Sequence, residues 1–202
     1  MFGLATRWLL RPSRRVSDVL LVVVIAVGVV LTLVAEVAKP LSITSSSMEP
    51  TLHCARPAEG CEARFSDQVI VCEICFAFSG PDRGQIVAFR APVAAARVCG
   101  AGGVYVKRLI GLPGETVHED RQGSIWIDGH RLNEPYLSAT DRLDDDGHRG
   151  QTWHVAANSY FMLGDNRSDS CDSRLWGDVP RSSLIGPVVL TYWPPAQIAF
   201  ND

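Results

Sequence analysis

The chain has little net charge and no block of lysine and arginine beyond its N-terminus. Its 202 residues include 19 lysines and arginines and 22 aspartates and glutamates, for a formal charge of −3. A nucleic-acid partner would require a basic patch, which this composition does not offer. No internal repeat is evident, and the length suits one modest domain with room for an insertion. We therefore expect a single globular domain that does not bind nucleic acid.

Charged residues are also missing from a long run near the N-terminus. No residue in Val19–Val34 is charged, and with its flanks the apolar segment covers residues 16–38, which is long enough to span a bilayer. The run is apolar on every side, which argues against a buried helix of a soluble domain. Arginines precede it, so the positive-inside rule predicts a cytoplasmic tail over 1–15 and an extracytoplasmic domain over 39–202.

A cleaved signal peptide is the alternative interpretation of the same run. The apolar stretch is long for such a peptide. The candidate cleavage sites after Ala35 and Ala38 have Leu33 and Glu36 at the third position back, where a small residue is needed. We therefore favour an uncleaved transmembrane anchor.

Six cysteines follow on the side predicted to be oxidising, where disulfides form. Six cysteines allow fifteen connectivities, and the sequence does not choose among them. Cys54 and Cys61 flank the turn-like sequence ARPAEG and are the best candidate pair. Cys72 and Cys75 have the spacing of half a zinc site, but no second pair or neighbouring histidine completes a ligand set. We predict neither a metal nor a cofactor.

After the anchor, short apolar runs alternate with glycine, proline, asparagine and aspartate, and no long amphipathic helix is evident. This pattern predicts a mainly β fold of antiparallel strands, packed as a barrel or as paired sheets. The predicted strands cover residues 67–78, 84–92, 102–115, 158–166 and 182–193, with a hairpin over 124–132 whose tip is Asp128-Gly129.

One segment interrupts this series of strands. Residues 115–157 carry the hairpin and the polar loop Asp141–Gly150, which we expect to be mobile. We predict that they form an inserted subdomain between two halves of a core, residues 40–114 and 158–194.

Two stretches carry candidate chemistry. In SITSSSMEPTL, residues 42–52, the consecutive serines are either a linker or include a nucleophile. In VYVKRLI, a strand places Lys107 or Arg108 among apolar neighbours, and that cation either snorkels to solvent or stays buried. Burial would lower the pKa of Lys107, so that the neutral amine could take the proton of a serine. Arginine could not do so, because it stays protonated.

Two other groups of polar residues have less specific interpretations. The histidines are rival bases, but they lie in turn-like or polar surroundings and are interpreted as structural or solvated: His53, His118, His130, His148 and His154. The stretch LGDNRSDSCDSRLWGD, residues 163–178, is either an ion-paired loop or a charged surface. Its acids lack the 12-residue calcium-loop pattern with a terminal glutamate.

Taken together, these stretches resemble bacterial type I signal peptidases (leader peptidases), with an actinobacterial character. The resemblance covers nearly the whole chain in order: the N-terminal anchor, SSSMEPTL, YVKRLIGLPGE, LNEPYL and GDNRSDSCDSRLWG. Each motif alone is weak to moderate, whereas their joint order and spacing are very specific. The resemblance therefore favours the catalytic interpretation of the serines and of Lys107.

The resemblance implies a role for individual residues. Ser47 matches the nucleophile and Lys107 the general base. Ser45 matches the side-chain donor of the oxyanion hole, which it shares with the backbone N–H of Ser47, and Ser170 matches the serine that hydrogen-bonds the lysine. The remaining matches are residues that support the site: Met48, Pro50, Asp165, Asn166, Asp172 and Arg174.

The sequence departs from the family pattern at two places in the stretch 42–52, which we call the serine loop. Thr44 stands where the family often has proline, and Ser46 stands where it usually has a small residue. The insertion between Cys54 and Cys61 resembles one in actinobacterial members. A lysine at position 107 argues against the endoplasmic-reticulum branch, which has histidine there.

The function implied is that of a membrane-bound serine endopeptidase that removes signal peptides from exported preproteins after an A-x-A-like site. Its partners would be preproteins, membrane lipid and, by proximity, the export translocon. It would lie in the bacterial plasma membrane with its N-terminus in the cytoplasm. The alternatives are a membrane-anchored β domain that binds extracellular partners without activity, and a peptidase dedicated to one substrate such as a pilin. A third alternative, a self-cleaving Ser–Lys protease of the repressor type, would need a DNA-binding domain. The predicted membrane anchor stands in the place of such a domain here.

Overall fold

The structure, a computed structural model, describes residues 14–100, 102–137 and 149–201. The first unit contains helix α1 (Arg14–Val37), which coincides with most of the predicted anchor. Among the described residues, no helix combines the length and the apolar character needed to cross a membrane. The helical conformation is therefore found where the anchor is predicted, but its spanning of a membrane is not confirmed.

The second unit, residues 38–202, is mainly antiparallel β, which confirms the predicted fold class. Its larger sheet has the strand order β1-β2-β11-β3-β4-β9-β10, with β12 paired to β11, and all of the pairings are antiparallel. The strands of this sheet are β1 (Ala38–Ser42), β2 (Gln68–Cys72), β3 (Ile86–Arg90), β4 (Val104–Gly111), β9 (Ser159–Leu163), β10 (Val179–Pro180), β11 (Leu184–Trp193) and β12 (Ala199–Phe200).

A smaller sheet is built from the chain between β4 and β9, within the segment predicted as an insertion. Its order is β7-β6-β5-β8, formed by β5 (Thr116–Glu119), β6 (Ile125–Ile127), β7 (His130–Arg131) and β8 (Thr152–His154). Asp128 and Gly129 connect β6 to β7 as predicted, both with positive φ (48° and 80°), as tight hairpin turns require. Most of the predicted polar loop Asp141–Gly150 lies outside the described residues.

The predicted strand over 67–78 is wrong in its second half. Strand β2 ends at Cys72, and a short helix, α2 (Cys75–Phe78), follows. Cys72 and Cys75 form a disulfide with a Cα–Cα distance of 5.5 Å. Three residues of extended chain would separate these Cα atoms by about 10 Å, so the bridge cannot form within a strand. Two further short helices are α3 (Val93–Cys99) and α4 (Ser173–Trp176).

All six cysteines are paired. Besides Cys72–Cys75, the structure joins Cys54 to Cys61 over 5.1 Å and Cys99 to Cys171 over 6.0 Å between Cα atoms. The first of these closes the loop that follows the serines. The second ties the C-terminal end of α3 to the stretch 163–178, which is 72 residues away in sequence.

Three apolar clusters form the core, and they follow the alternation of side chains along the strands. On β3, Ile86 and Ala88 join one cluster, whereas Val87 and Phe89 join a second cluster on the other face. The first cluster also includes Ile43, Met48 and Leu52, which fix the serine loop to the larger sheet. The third cluster packs the two sheets together and consists of Ile110, Val117, Ile125, Ile127, Val155, Phe161 and Leu163.

Candidate active site

The serine loop forms a compact turn at the edge of the first apolar cluster. Ser46–Met48 adopt a 3-10 turn in which all three residues are buried, and Met48 is only 1% exposed. The hydroxyls of Ser45 and Ser47 lie 3.2 Å apart, within hydrogen-bond distance. Apolar packing of Met48 thus holds the turn in place and leaves the Ser45 and Ser47 hydroxyls side by side.

Asn166 ties this turn to the stretch 163–178. Its backbone N–H donates to the carbonyl oxygen of Ser47 at 3.2 Å, and its side-chain amide donates to the carbonyl oxygen of Ser46, also at 3.2 Å. These bonds hold the backbone of the turn and leave the serine hydroxyls to other partners. Asn166 therefore provides a hydrogen-bond donor for the carbonyl groups of both Ser46 and Ser47.

Lys107 lies on strand β4 and is buried, with only 3% of its surface exposed. Its Nζ donates a hydrogen bond to Ser170 Oγ at 3.0 Å. Burial lowers the pKa of Lys107 from its ordinary value to about 8, although the neighbouring Asp172 carboxylate opposes the shift. A substantial fraction of this amine is consequently neutral near pH 8, and the snorkelling alternative does not apply to it.

Ser47 and Lys107 line the same cavity, which has a volume of about 400 Å³. Ser45, Ile43, Val104 and Tyr105, among others, complete its walls. The two reactive groups do not hydrogen-bond each other here, since Ser47 Oγ contacts Ser45 and Lys107 Nζ contacts Ser170. The cavity thus combines a serine hydroxyl, a lysine whose pKa is lowered to about 8, and walls that are partly apolar.

A buried ion pair supports the cavity from β4. Arg108 Nε donates to Asp165 Oδ1 at 2.9 Å, and a terminal nitrogen donates to Oδ2 at 2.6 Å. Thr51 donates its hydroxyl to the same carboxylate at 2.6 Å. Thr51 lies in the serine loop, Arg108 lies on β4, and Asp165 begins the turn that contains Asn166. This carboxylate therefore connects three segments around the site.

A second buried ion pair, between Asp172 and Arg174, follows Ser170 in the chain. Asp172 caps α4 and accepts from Arg174 Nε and from a terminal nitrogen, both at 2.9 Å, as well as from the backbone N–H of Gly164 at 3.1 Å. Burial would raise the pKa of Asp172, but Arg174, Lys107 and the backbone N–H of Gly164 together outweigh burial and hold this pKa below its ordinary value. Asp172 is therefore a buried anion near Lys107 at neutral pH.

Gly164 marks the closest approach of the two loops. A Cβ at this position would lie 2.2 Å from Ser170 Oγ and 2.4 Å from the carbonyl oxygen of Ser47. Both distances are too short for any side chain, so only glycine fits. The predicted lysine partner and the predicted nucleophile are thus both packed against the space that a side chain at position 164 would fill.

The chain matches known proteins over most of its length. The model of the family described as signal peptidase, peptidase S26, matches residues 16–193. The chain belongs to this family. The named members imply that it is a serine endopeptidase, in agreement with the expectation from sequence.

Three relatives illustrate the similarity. A signal peptidase I of Leptolyngbya laminosa is 37% identical, over 85% of this chain and 75% of that protein. A probable signal peptidase I-2 of Synechocystis is 35% identical, over 87% of this chain and 71% of that protein. The signal peptidase I of Mycobacterium tuberculosis is 30% identical, over 93% and 76% respectively. Since the two cyanobacterial relatives are more identical than the mycobacterial one, the specifically actinobacterial character stays a prediction.

In this signal peptidase the structure brings most of the predicted site residues together. Ser45, Ser47, Met48 and Lys107 line the cavity, and Ser170 contacts Lys107. Asp165, Asn166, Asp172 and Arg174 hold the surrounding loops. Pro50 is exposed in the turn after Met48 and contributes no polar contact.

The described histidines stand apart from this cavity, and His148 lies outside the described residues. His53 is placed between Asp67, at 3.3 Å, and Glu49, at 3.6 Å. Among the described residues, no group of three or more histidine, cysteine or acidic side chains is arranged to hold a metal ion.

Two buried acids were not singled out from the sequence. Glu134 pairs with Arg167, and Glu119 lies 3.8 Å from a terminal nitrogen of Arg174. Glu119 belongs to β5 of the smaller sheet, and Glu134 follows β7 of that sheet, so the segment between β4 and β9 supplies counter-charges to the stretch 163–178. Glu134 lies within LNEPYL, a motif that the resemblance already included, which is the signal that could have identified it.

Asp172→Asn tests the electrostatic account of Lys107. Because Asp172 is the strongest influence that raises the pKa of Lys107, its neutralisation should lower this pKa below about 8. Loss of the buried partner of Arg174 should also reduce the free energy of unfolding by about 3 kcal/mol. The chain has only two lysines, Lys39 and Lys107, so isotope labelling of lysine allows the pKa to be measured by NMR titration.

The matched control is Asp178→Asn, which alters a carboxylate that accepts a hydrogen bond from the backbone N–H of Ala156. It should leave the pKa of Lys107 unchanged. An unchanged lysine titration in Asp172→Asn would contradict the proposed influence of Asp172.

Proposed function

We propose that this signal peptidase removes signal peptides from exported preproteins with Ser47 as nucleophile and Lys107 as general base. The observation that carries the proposal is that a serine hydroxyl and a buried lysine with a pKa of about 8 line the same cavity. An unperturbed lysine would be almost fully protonated at neutral pH and could not accept a proton. A lysine whose pKa is lowered to about 8 can accept the proton of the serine hydroxyl.

The reaction proposed is acyl transfer through a covalent intermediate. Neutral Lys107 accepts the Ser47 proton while Oγ attacks the scissile carbonyl, and the resulting ammonium then gives that proton to the departing amine. Lys107 next takes a proton from water, and the hydroxide attacks the acyl ester. The signal peptide leaves with a free carboxylate, and Ser47 regains its proton from Lys107.

Two donors are available for the oxyanion of each tetrahedral intermediate. They are the backbone N–H of Ser47 and the hydroxyl of Ser45, which lies 3.2 Å from Ser47 Oγ. Ser170 is assigned the role of orienting Lys107, because its Oγ accepts from Nζ. Catalytic hydrogen bonds tighten when substrate binds, so the lack of a direct bond between Ser47 and Lys107 in the free protein is compatible with the dyad.

The walls of the cavity favour small residues on the substrate. Ile43, Val104 and Val106 present apolar surface within a volume of about 400 Å³, which also has to hold the reacting groups. Alanine-like side chains at the cleavage position and two positions before it fit this space. We accordingly propose cleavage after an A-x-A-like site.

We also propose, from the sequence, that residues 16–38 anchor the chain in the bacterial plasma membrane, near the export translocon and with the N-terminus in the cytoplasm. The support is the uncharged run Val19–Val34 after several arginines. Alkaline carbonate extraction of membranes checks this: the full chain should stay with the lipid, and a variant lacking residues 1–37 should be released. Release of the full chain would contradict an anchor.

The test of the function is cleavage of a preprotein in detergent micelles, with the new N-terminus of the product sequenced. The wild type should cut after an A-x-A-like site, and Ser47→Ala should be inactive. If neither protein cuts, the inactive binding domain becomes the better interpretation. If both cut, the nucleophile would be Ser46 or Ser45. A range of preproteins would show whether the peptidase is general or dedicated to one substrate.

Lys107→Arg tests the general base. Arginine keeps the charge and nearly the length of the side chain but stays protonated, so cleavage should be lost. In the wild type, kcat/KM should rise with pH and level off above about 8, because the active form is the neutral amine. Substantial cleavage by Lys107→Arg, or a rate that falls as pH rises through this range, would refute the role of Lys107.

Ser45→Ala tests the oxyanion donor. The donor acts mainly on charge that develops in the transition state, so kcat should fall by roughly 10²–10³-fold while KM changes little. Steady-state kinetics on a peptide substrate measure both constants. A change in KM alone would indicate that Ser45 binds the substrate instead.

A further inference from the structure

The hydroxyl of Ser46 makes a contact that the proposed mechanism does not use. Ser46 Oγ donates a short hydrogen bond to Asp169 Oδ2. Ser46 immediately precedes Ser47, and Asp169 immediately precedes Ser170. The bond therefore joins the residue before the proposed nucleophile to the residue before the hydroxyl that holds Lys107.

The bond closes a short path between the two reacting groups. From Ser47 the path runs through Ser46 to Asp169, then to Ser170, and by the 3.0 Å hydrogen bond to Lys107 Nζ. The bonds from Asn166 fix the carbonyls of the serine turn and involve none of its side chains. The Ser46–Asp169 contact is the side-chain bond that directly joins the two loops on the cavity side, where both residues form part of the wall.

Gly60 covers this bond. It has a φ of +71°, and a Cβ there would lie 2.6 Å from Asp169 Oδ2 and 2.7 Å from Ser46 Oγ. The next residue is Cys61, whose disulfide to Cys54 closes the loop. The disulfide loop thus brings bare backbone against the bond, which a residue with a side chain could not do.

We propose that Ser46, Asp169 and Gly60 form a clamp that positions Ser47 relative to Lys107 and Ser170. This inference rests on the proposed function, since it concerns the alignment of its nucleophile and base. Ser46 and Asp169 are positioning residues that act through their chain neighbours. Small misplacements of reacting groups cost large factors in rate, so the clamp should affect kcat more than KM.

The first experiment removes the bond from each side. Ser46→Ala and Asp169→Ala should each lower kcat roughly ten- to a hundred-fold with KM nearly unchanged. The kcat of the double variant should be little lower than that of the more impaired single variant, because both substitutions remove the same interaction. Asp169→Asn keeps an oxygen that can accept from Ser46 and should retain more activity than Asp169→Ala.

The pH profile separates positioning from a simple effect of charge. Lys107 is influenced by Asp172, Arg174, Asp165 and Asp169, and the Asp169 carboxylate raises its pKa. Both Asp169 variants should therefore move the rise of activity to lower pH, whereas Ser46→Ala should leave its position unchanged and lower only the plateau. If Ser46 had only a structural role, Ser46→Ala would lower the melting temperature but would not lower the activity plateau.

A second experiment leaves both polar side chains intact. Gly60→Ala should lower kcat, because its methyl group displaces the bonded pair. The matched control is Gly80→Ala, which has nearly the same φ, +73°, but open space around the added Cβ. Both substitutions place a side chain at nearly the same positive φ, so the difference between the two variants reports on the clamp.

The outcomes are distinct from those that test the dyad. Wild-type cleavage together with an inactive Ser47→Ala upholds the function, whatever the clamp variants do. Against that background, wild-type kcat in both Ser46→Ala and Asp169→Ala would overturn the clamp. Fully multiplicative losses in the double variant, or equal effects of Gly60→Ala and Gly80→Ala, would overturn it as well.

Discussion

The proposed chemistry of the site depends on the burial of one amine, that of Lys107 on strand β4. The Lys107 ammonium is poorly solvated among apolar neighbours, so its proton is held weakly. Asp172 and, less strongly, Asp165 and Asp169 partly restore the affinity for the proton, and Ser170 gives Nζ a hydrogen-bond partner. The resulting pKa of about 8 is a balance between desolvation and nearby negative charge.

That balance depends on loops with little regular structure of their own. Two buried carboxylates hold the serine turn and the stretch 163–178: one bridges segments distant in sequence, and the other makes its contacts within the stretch itself. Asp165 connects to Arg108, and Asp172 connects to Arg174. Buried ion pairs add little net stability once their desolvation is counted, but breaking one leaves an uncompensated charge. Their role here is better understood as fixing where each loop lies.

The smaller sheet takes part in this arrangement. Glu119 and Glu134 approach Arg174 and Arg167, two arginines of the stretch 163–178. The third apolar cluster packs the two sheets against each other, which brings these acids within reach. The segment between β4 and β9 is therefore connected to the cavity electrostatically, through the residues that surround Ser170.

The fold could be read from the sequence where the signal is local. Short apolar runs with turn residues predicted five strands of the larger sheet, and Asp128-Gly129 predicted the hairpin. The five strands are β2, β3, β4, β9 and β11. The prediction was wrong after Cys72, where β2 ends: the disulfide between Cys72 and Cys75 does not fit an extended strand, and the sequence did not show which cysteines pair. The short strands β1, β5, β8, β10 and β12 were not predicted, because runs of two to five residues show too little periodicity.

The sequence alone determined which chemical groups the chain can offer: the serines of SSSM, a lysine in a strand, and the motif order that identifies the family. It left open whether Lys107 or Arg108 is exposed, which cysteines pair, and what Ser46 and Glu134 contact. The tertiary structure decided these points, because burial and partnership depend on strand register and on packing between distant segments. Lys107 and Arg108 are adjacent and both buried, yet only Arg108 meets a carboxylate directly, and this difference leaves Lys107 able to lose its proton.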